Sequence, residues 1–172
     1  MLQRSLGHYE RFSLARHNVG HTPAVVVSAQ LPNDSFNSSN LVNAIRYLLV
    51  NEPLLRSSIT LARSEDPKFC LRQGVEPEQV LVKIESIGHA TEEALLSGIQ
   101  AMEDLDVEQA PLWRVFLYRP DQETKRRRIV LAVHHTLCDG SAARNLFVEL
   151  LTLLRQPTID LSTSTSPPFP PS

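Results

Sequence analysis

The sequence predicts an α/β fold, a two-layer α+β sandwich in which helices cover a mixed β-sheet. Two observations support this prediction. Segments rich in β-branched residues alternate with segments whose apolar residues recur at helical spacing. Their order along the chain is strand, helix, strands, helix, strands, helix, which favours helices packed against a sheet. With 42% hydrophobic residues among 172, the chain can bury a core of domain size.

The first half of the chain is expected to hold two helices and three strands. A short helix over 9–16 precedes an apolar, β-branched strand over 23–31. A second helix, capped by Ser38 or Ser39, runs to about Val50, because apolar residues recur along it every three or four positions. Pro53 ends or kinks that helix, and strands follow at 57–61 and 68–72.

The second half repeats this alternation. A strand over 80–85 leads to a helix that begins near Thr91, and the two clearest strands of the chain lie at 112–118 and 128–134. The connection at 119–127 overlaps a basic run at 125–128, which is either a phosphate site or, as charge runs usually are, a solvated hairpin tip. The last helix spans 141–155 and presents an apolar face to the core.

Composition changes abruptly after the last helix. Residues 157–172 contain five prolines and seven serines or threonines, which is typical of an extended linker or tail. We therefore predict two regions, a folded lobe over 1–156 and a Pro/Ser/Thr-rich linker or disordered tail over 157–172.

Charge and composition exclude several classes of function. A formal net charge of -2 argues against nucleic-acid binding, and Cys70 and Cys138 form neither a disulfide framework nor a zinc pattern. No apolar run is long enough for a transmembrane helix, and residues 1–16 lack the apolar core of a secretory signal. These features predict a cytoplasmic protein and leave open a peripheral association with membranes.

The segment that carries chemistry is His134-His135-Thr136-Leu137-Cys138-Asp139-Gly140. It lies where an apolar strand ends and a helix follows, a place where α/β folds often position reactive groups. Adjacent side chains on a strand point to opposite faces, so one imidazole can face a cavity while its neighbour packs inward. Asp139-Gly140 is expected to form a sharp turn, since glycine tolerates positive φ. Metal ligation by His135 and Asp139 lacks a third ligand nearby, and Cys138 lacks partners for a nucleophilic triad.

His-His-x-x-x-Asp-Gly resembles the signature of the chloramphenicol acetyltransferase-like superfamily. That superfamily includes alcohol acyltransferases, plant-type acyl-CoA-dependent acyltransferases and condensation domains of peptide synthetases. The resemblance implies that His135 is the general base and that His134 supports it by packing. It further implies that Asp139 is structural and pairs with an arginine, and that Gly140 lets the backbone turn beside the substrate tunnel.

Two further segments fit the resemblance. Residues 51–59 are similar to the superfamily's His-x-x-Leu-Arg segment, with Asn51 in place of the histidine, so Arg56 is the implied partner of Asp139. Residues 6–12 and 15–17 look like the start of fungal alcohol acetyltransferases. His8, His17, His21 and His89 have no motif support.

The resemblance implies a CoA-dependent O-acyltransferase that moves an acetyl or acyl group from acyl-CoA to a small alcohol. A neutral imidazole takes the hydroxyl proton as oxygen attacks the thioester, which is typically worth about 10²–10⁴ in rate. Acetyl-CoA or acyl-CoA is then a co-substrate, with no permanently bound cofactor and no metal, and the CoA-contacting residues stay unassigned.

Members of this superfamily have two lobes with the tunnel between them, and this sequence resembles the N-terminal lobe. A second acyltransferase lobe is therefore an expected partner, without which activity is expected to be weak. Two other interpretations stay open at this point. One is a catalytically inactive single lobe that acts as a binding or interaction protein. The other is a condensation-type domain of a peptide synthetase.

Overall fold

The fold is organised around one strand that runs through the centre of the larger sheet. The computed structural model describes residues 2–21, 24–87, 91–109 and 111–156. Its strands are β1 (Gln3–Ser5), β2 (Ala24–Pro32), β3 (Ser57–Thr60), β4 (Lys68–Leu71), β5 (Leu81–Ile87), β6 (Trp113–Arg119) and β7 (Arg126–His134). Its α-helices are α1 (His8–Asn18), α2 (Ser38–Asn51), α3 (Thr91–Glu103) and α4 (Gly140–Leu154).

The strands form two separate sheets in the described part of the chain. The larger sheet has the order β2-β7-β6-β5, and the smaller has the order β1-β4-β3. Strand β7 pairs antiparallel with both β2 and β6, whereas β5 pairs parallel with β6. The larger sheet is therefore mixed, as predicted, and β7 is an inner strand paired along both edges.

Apolar side chains of β7 alternate between two cores. Ile129, Leu131 and Val133 pack with α2 and α4, whereas Val130 and Ala132 belong to the core that includes α1, α3 and the smaller sheet. This alternation follows from the two-residue period of a strand. The predicted mixed sheet covered by helices is confirmed, and helices lie on both of its faces, which adds a layer to the predicted sandwich.

A glycine allows α3 to lie close to the larger sheet. A Cβ atom at Gly98 would come within 3.0 Å of Val26 Cγ1 and 3.3 Å of Ala132 Cβ. These distances are shorter than ordinary van der Waals contact, so a larger residue would push α3 away from β2 and β7. The close approach buries the apolar face of α3, including Ala94 and Met102.

Helix α2 begins with a different cap from the predicted one. The side chain of Asn37 accepts a hydrogen bond from the Ser39 N–H at 2.8 Å, so Asn37 is the N-cap and Ser38 is already helical. Asparagine and serine are equally good caps, and the backbone of Asn37 has the extended conformation that the position requires. The helix ends at Asn51, and Pro53–Arg56 forms a 3₁₀ turn behind it.

The basic run begins at Lys125, the last residue of the β6–β7 turn, and continues into β7. Lys125 and Arg126 are exposed, as expected of a solvated hairpin tip, whereas Arg128 is buried. The guanidinium of Arg127 lies 4.4 Å from the centroid of the Phe36 ring and donates to Asn33. Only the outer half of the run is therefore available to solvent.

Two predicted segments lie partly or wholly outside the described residues. Pro23, expected in the first long strand, and the tail over 157–172 lie outside them. No helix in the described ranges is long and apolar enough to cross a bilayer.

Candidate active site

The motif begins at the last residue of β7. His134 closes the strand, a turn over 135–137 follows, and α4 starts at Gly140. The Leu137 N–H donates to the His134 carbonyl at 2.9 Å, which closes the turn that carries His135. The predicted strand-to-helix junction is therefore present, and the second histidine lies in the turn and not on the strand.

His134 is enclosed by the protein. It has no exposed surface, and its Nδ1 accepts a hydrogen bond from the Thr136 N–H at 3.2 Å. Burial, together with the nearby His17 and His135, lowers the pKa of His134 to about 3. This imidazole is therefore neutral near pH 7 with its proton on Nε2, because Nδ1 already accepts. This buried position agrees with the packing role that the resemblance implies.

His135, in contrast, faces a groove. The residue is half-buried and lines a hollow of about 470 Å³ between α1 and the motif turn. The wall contributed by α1 contains Tyr9, Glu10, Phe12, Ser13 and Arg16, and the motif contributes His135, Thr136, Leu137, Cys138 and Asp139. The two adjacent histidines thus have different environments, one in the core and one beside a space that a substrate can enter.

Cys138 separates this groove from a second hollow. The second hollow, of about 320 Å³, lies between the 3₁₀ turn and α4, and Leu137 and Cys138 line both spaces. Burial, and secondarily the charge of Asp139, raises the pKa of the Cys138 thiol to about 12. The thiol is therefore protonated near neutral pH and is a poor nucleophile. His135 therefore remains the candidate reactive group of the motif turn.

Asp139 does not have the burial that the predicted ion pair with Arg56 requires. Asp139 is exposed, and its Oδ1 accepts a hydrogen bond from the Ala142 N–H at 2.8 Å, which makes it the N-cap of α4. An aspartate directly before a helix satisfies one of the free N–H groups of the first turn, and its charge suits the positive end of the helix. Arg56 is half-buried at the end of the 3₁₀ turn.

The role predicted for Gly140 also needs correction. Gly140 is the first residue of α4, and the described glycines with positive φ are Gly20 and Gly74. A Cβ atom at Gly140 would meet nothing within 4 Å. The sharp turn is produced by the extended Asp139 cap, and it does not require the conformational freedom of glycine.

The segment over 51–59 is hydrogen-bonded to the first residue of β6 in the larger sheet. The indole N–H of Trp113, at the start of β6, donates to the Leu55 carbonyl at 2.8 Å in the buried interior. The Arg72 N–H donates to the Arg56 carbonyl, so the 3₁₀ turn is also tied to the end of β4. This region forms one wall of the second hollow through Glu52, Leu54 and Leu55.

Sequence reasoning missed His17. Its ring meets the ring of His134 in a T-shaped contact, with centroids 5.0 Å apart and planes at 69°. Burial, and secondarily the charge of Arg63, lowers the pKa of His17. No spacing rule links a histidine on the first helix to a motif more than a hundred residues later, so only the fold could reveal it. Within the described ranges, no cluster of three or more His, Cys, Asp or Glu residues is arranged to hold a metal ion.

A family model for the condensation domain matches residues 13–167. The chain belongs to the condensation domain family. This membership confirms the predicted superfamily, and the match includes the whole histidine motif. The narrower likeness to fungal alcohol acetyltransferases is not shown by any comparison, and no curated protein matches this chain.

Solved structures share the fold. The condensation domain of the monacolin K polyketide synthase MokA superposes with a TM-score of 0.70 at 17% identity, over 93% of this chain and 36% of that one. The EpoB cyclization-docking bidomain from Sorangium cellulosum gives 0.64 at 18% identity, over 96% and 33%. The epimerization domain of tyrocidine synthetase B gives 0.64 at 18% identity, over 90% and 35%. This chain thus spans about a third of the length of these structures.

Proposed function

We propose that this chain is the N-terminal lobe of an acyl-transferring enzyme and that His135 is its general base. The observation that carries the proposal is the contrast between the two motif histidines. His134 is fully buried and neutral, whereas His135 lines a groove large enough for a substrate. A general base must reach the proton that it removes, and of these two side chains only His135 opens onto a space for the reactant.

The chemistry follows from the position of this imidazole. A neutral His135 removes the proton of the attacking nucleophile as that nucleophile adds to the thioester carbonyl. The tetrahedral intermediate collapses, the carbon–sulfur bond breaks, and the imidazolium returns the proton to the departing thiolate. The net result is an ester or amide and a free thiol. No covalent acyl-enzyme is needed, which agrees with a Cys138 thiol whose pKa is raised.

For the substrates, we propose an acyl-CoA donor, such as acetyl-CoA, and a small alcohol acceptor. The histidine motif and the likeness of residues 6–12 to alcohol acetyltransferases support this pair. A second candidate is a condensation step between carrier-bound substrates, and the family match over 13–167 favours it. The two candidates use the same base and differ in what carries the thioester, so a choice of donors separates them.

We further propose that a second lobe completes the groove. The walls seen here come from α1 and the motif turn, and Tyr9 and Phe12 on α1 are 85% and 62% exposed beside His135. Accurate alignment of two reactants can supply roughly 7–11 kcal/mol of a barrier, and an open groove cannot align them. A lobe that covers these aromatic rings would provide the missing wall. A single lobe that binds without catalysis is the alternative.

The deciding experiment measures thiol release and product formation. The chain alone, and the chain joined to a second condensation lobe, are supplied with acetyl-CoA and short alcohols, or with an acyl group on a carrier protein and an amine acceptor. Turnover by the joined protein that is lost in His135→Ala but kept in His8→Ala supports the proposal. His8 is a matched control, because it is an exposed histidine on α1 outside the groove lining. Substrate binding without product from any donor would favour the non-catalytic alternative.

A further inference from the structure

The end of α1 is fixed in place independently of the motif. The Asn18 side chain donates to the Ala62 carbonyl at 2.9 Å, and the Gly20 N–H donates to the His17 carbonyl at 3.0 Å. Near the middle of the helix, Arg11 donates to the carbonyl of Glu65 and pairs with Asp66. These contacts hold α1 to the loop beyond β3, so His17 is presented from a fixed support.

From this support, the ring of His17 meets the buried ring of His134. The contact is T-shaped at 5.0 Å, which is a favourable arrangement for two aromatic rings. His134 Nδ1 is occupied by the Thr136 N–H, and its Nε2 has no hydrogen-bond partner among the described residues. The ring of His134 is therefore held by one hydrogen bond and by its contact with the ring of His17.

The orientation of His134 bears directly on His135. The Thr136 N–H that donates to His134 Nδ1 belongs to the residue immediately after His135, and the Leu137 N–H donates to the His134 carbonyl. The backbone that follows His135 is thus tied to His134 at two points. A rotation of the His134 ring would break the hydrogen bond to Thr136 and loosen the turn that carries the base.

We infer that His17 is a positioning residue for acyl transfer, which holds His135 in line through the His17–His134 ring contact. The inference rests on the proposed function of His135. It assigns a positioning role to a residue outside the histidine motif. Helix α1 would then both line the groove and orient the motif. His17 does not line the groove in this structure, so its effect on catalysis passes through His134.

The test compares three variants of the joined two-lobe protein. His17→Ala removes the ring, His17→Phe keeps an aromatic ring without nitrogen atoms, and His8→Ala removes an exposed histidine from the same helix. We expect His17→Ala to lower kcat by about 10-fold to 100-fold, the loss typical of a small misplacement. KM should stay within about twofold, because the substrate contacts remain. His17→Phe should recover most of kcat, and His8→Ala should match the parent protein.

A double-mutant cycle locates the path of the effect. If His17 acts through His134, the losses in kcat of His17→Ala and His134→Phe should be strongly non-additive. Imidazole ¹⁵N chemical shifts provide a readout that needs no turnover. His17→Ala should change the shifts of both His134 and His135, and His8→Ala should change neither.

The outcomes separate this inference from the proposed function. Loss of turnover in His135→Ala, with kcat of His17→Ala equal to that of His8→Ala, would refute the positioning role and leave the base intact. Undiminished turnover in His135→Ala would refute both the assignment of His135 as the base and the positioning role of His17. Unchanged ¹⁵N shifts of His134 and His135 in His17→Ala would also overturn the inference, whatever the activity.

Discussion

The two ends of the histidine motif are held in different ways. On the strand side, His134 has no exposed surface and continues the β7 ladder, opposite Ala24 of β2. On the loop side, His135 lines a groove and the exposed Asp139 caps α4. One peptide bond separates a fully buried residue from a residue that lines a groove. Substitutions on the strand side should therefore change mainly stability, and substitution of His135 on the loop side should change mainly catalysis.

The largest effect is expected on the loop side. His135→Ala in the joined two-lobe protein should lower kcat by about 10²–10⁴, because the attacking group loses its general base. The melting temperature should change little, since a half-buried side chain in a turn contributes few core contacts. Steady-state kinetics together with thermal unfolding checks both parts. Near-normal turnover would reject the assignment, and a large fall in melting temperature would break the proposed separation.

On the strand side, the expected effect is a pH-dependent loss of stability. The folded pKa of His134 is about 3, below the ordinary value of 6.5, so between these limits the unfolded chain binds more protons. Stability from this residue is fully present above pH 6.5 and is lost as pH falls towards 3, at about 1.4 kcal/mol per pH unit. The lowered pKa of His17 acts in the same direction.

Urea unfolding of the chain at several pH values between 7.5 and 4.5 measures this slope. His134→Phe removes the titrating group and should flatten the curve, whereas His8→Ala should leave it unchanged. The difference in slope therefore reports on His134 together with its contact to His17. Equal slopes in the parent chain and His134→Phe would contradict the burial argument.

A smaller effect is expected at the helix cap. Asp139→Ala should lower the free energy of unfolding by about 1 kcal/mol, the usual value of an N-cap. A buried ion pair with Arg56 would instead cost about 3–5 kcal/mol and couple the two residues. Chemical denaturation of Asp139→Ala, Arg56→Ala and the double variant should show additivity within about 0.5 kcal/mol. Asp139→Asn serves as the control, because asparagine keeps an oxygen that can cap the helix. Strong coupling between the Asp139 and Arg56 substitutions would instead support the ion pair.

The smallest effect is expected at Gly140. Gly140→Ala should raise the free energy of unfolding by about 0.4–1 kcal/mol, because alanine restricts the unfolded chain and its Cβ meets no atom within 4 Å. Gly98→Ala is the matched opposite case, since its Cβ would lie 3.0 Å from Val26 Cγ1. Denaturation midpoints should therefore move in opposite directions. A destabilised Gly140→Ala would show that the turn needs glycine after all.

Local patterns were sufficient to predict the surroundings of the motif. The apolar β-branched run before His134 predicted a buried strand, and the helical spacing after Ser141 predicted α4, because backbone preference and side-chain periodicity act over a few residues. The different environments of His134 and His135 were predicted from strand alternation, whereas in the structure His135 lies in the turn after the strand. The hydrogen-bond partner of Asp139 was not predicted. Two partners were available to its carboxylate, a nearby backbone N–H and an arginine far away in the sequence, and in the structure it accepts from the nearby Ala142 N–H.

What the sequence determined by itself was therefore the order of the helices and strands from α1 onward, the membership of the superfamily and the position of the candidate base, whereas β1 was not predicted. The tertiary structure decided which distant groups meet there. It placed β5 parallel to β6, α1 beside the motif turn, and His17 against His134. The physical reason is that hydrophobic burial is non-directional, so a single sequence specifies which faces are buried but not which faces meet. Those pairings arise only when the whole chain packs.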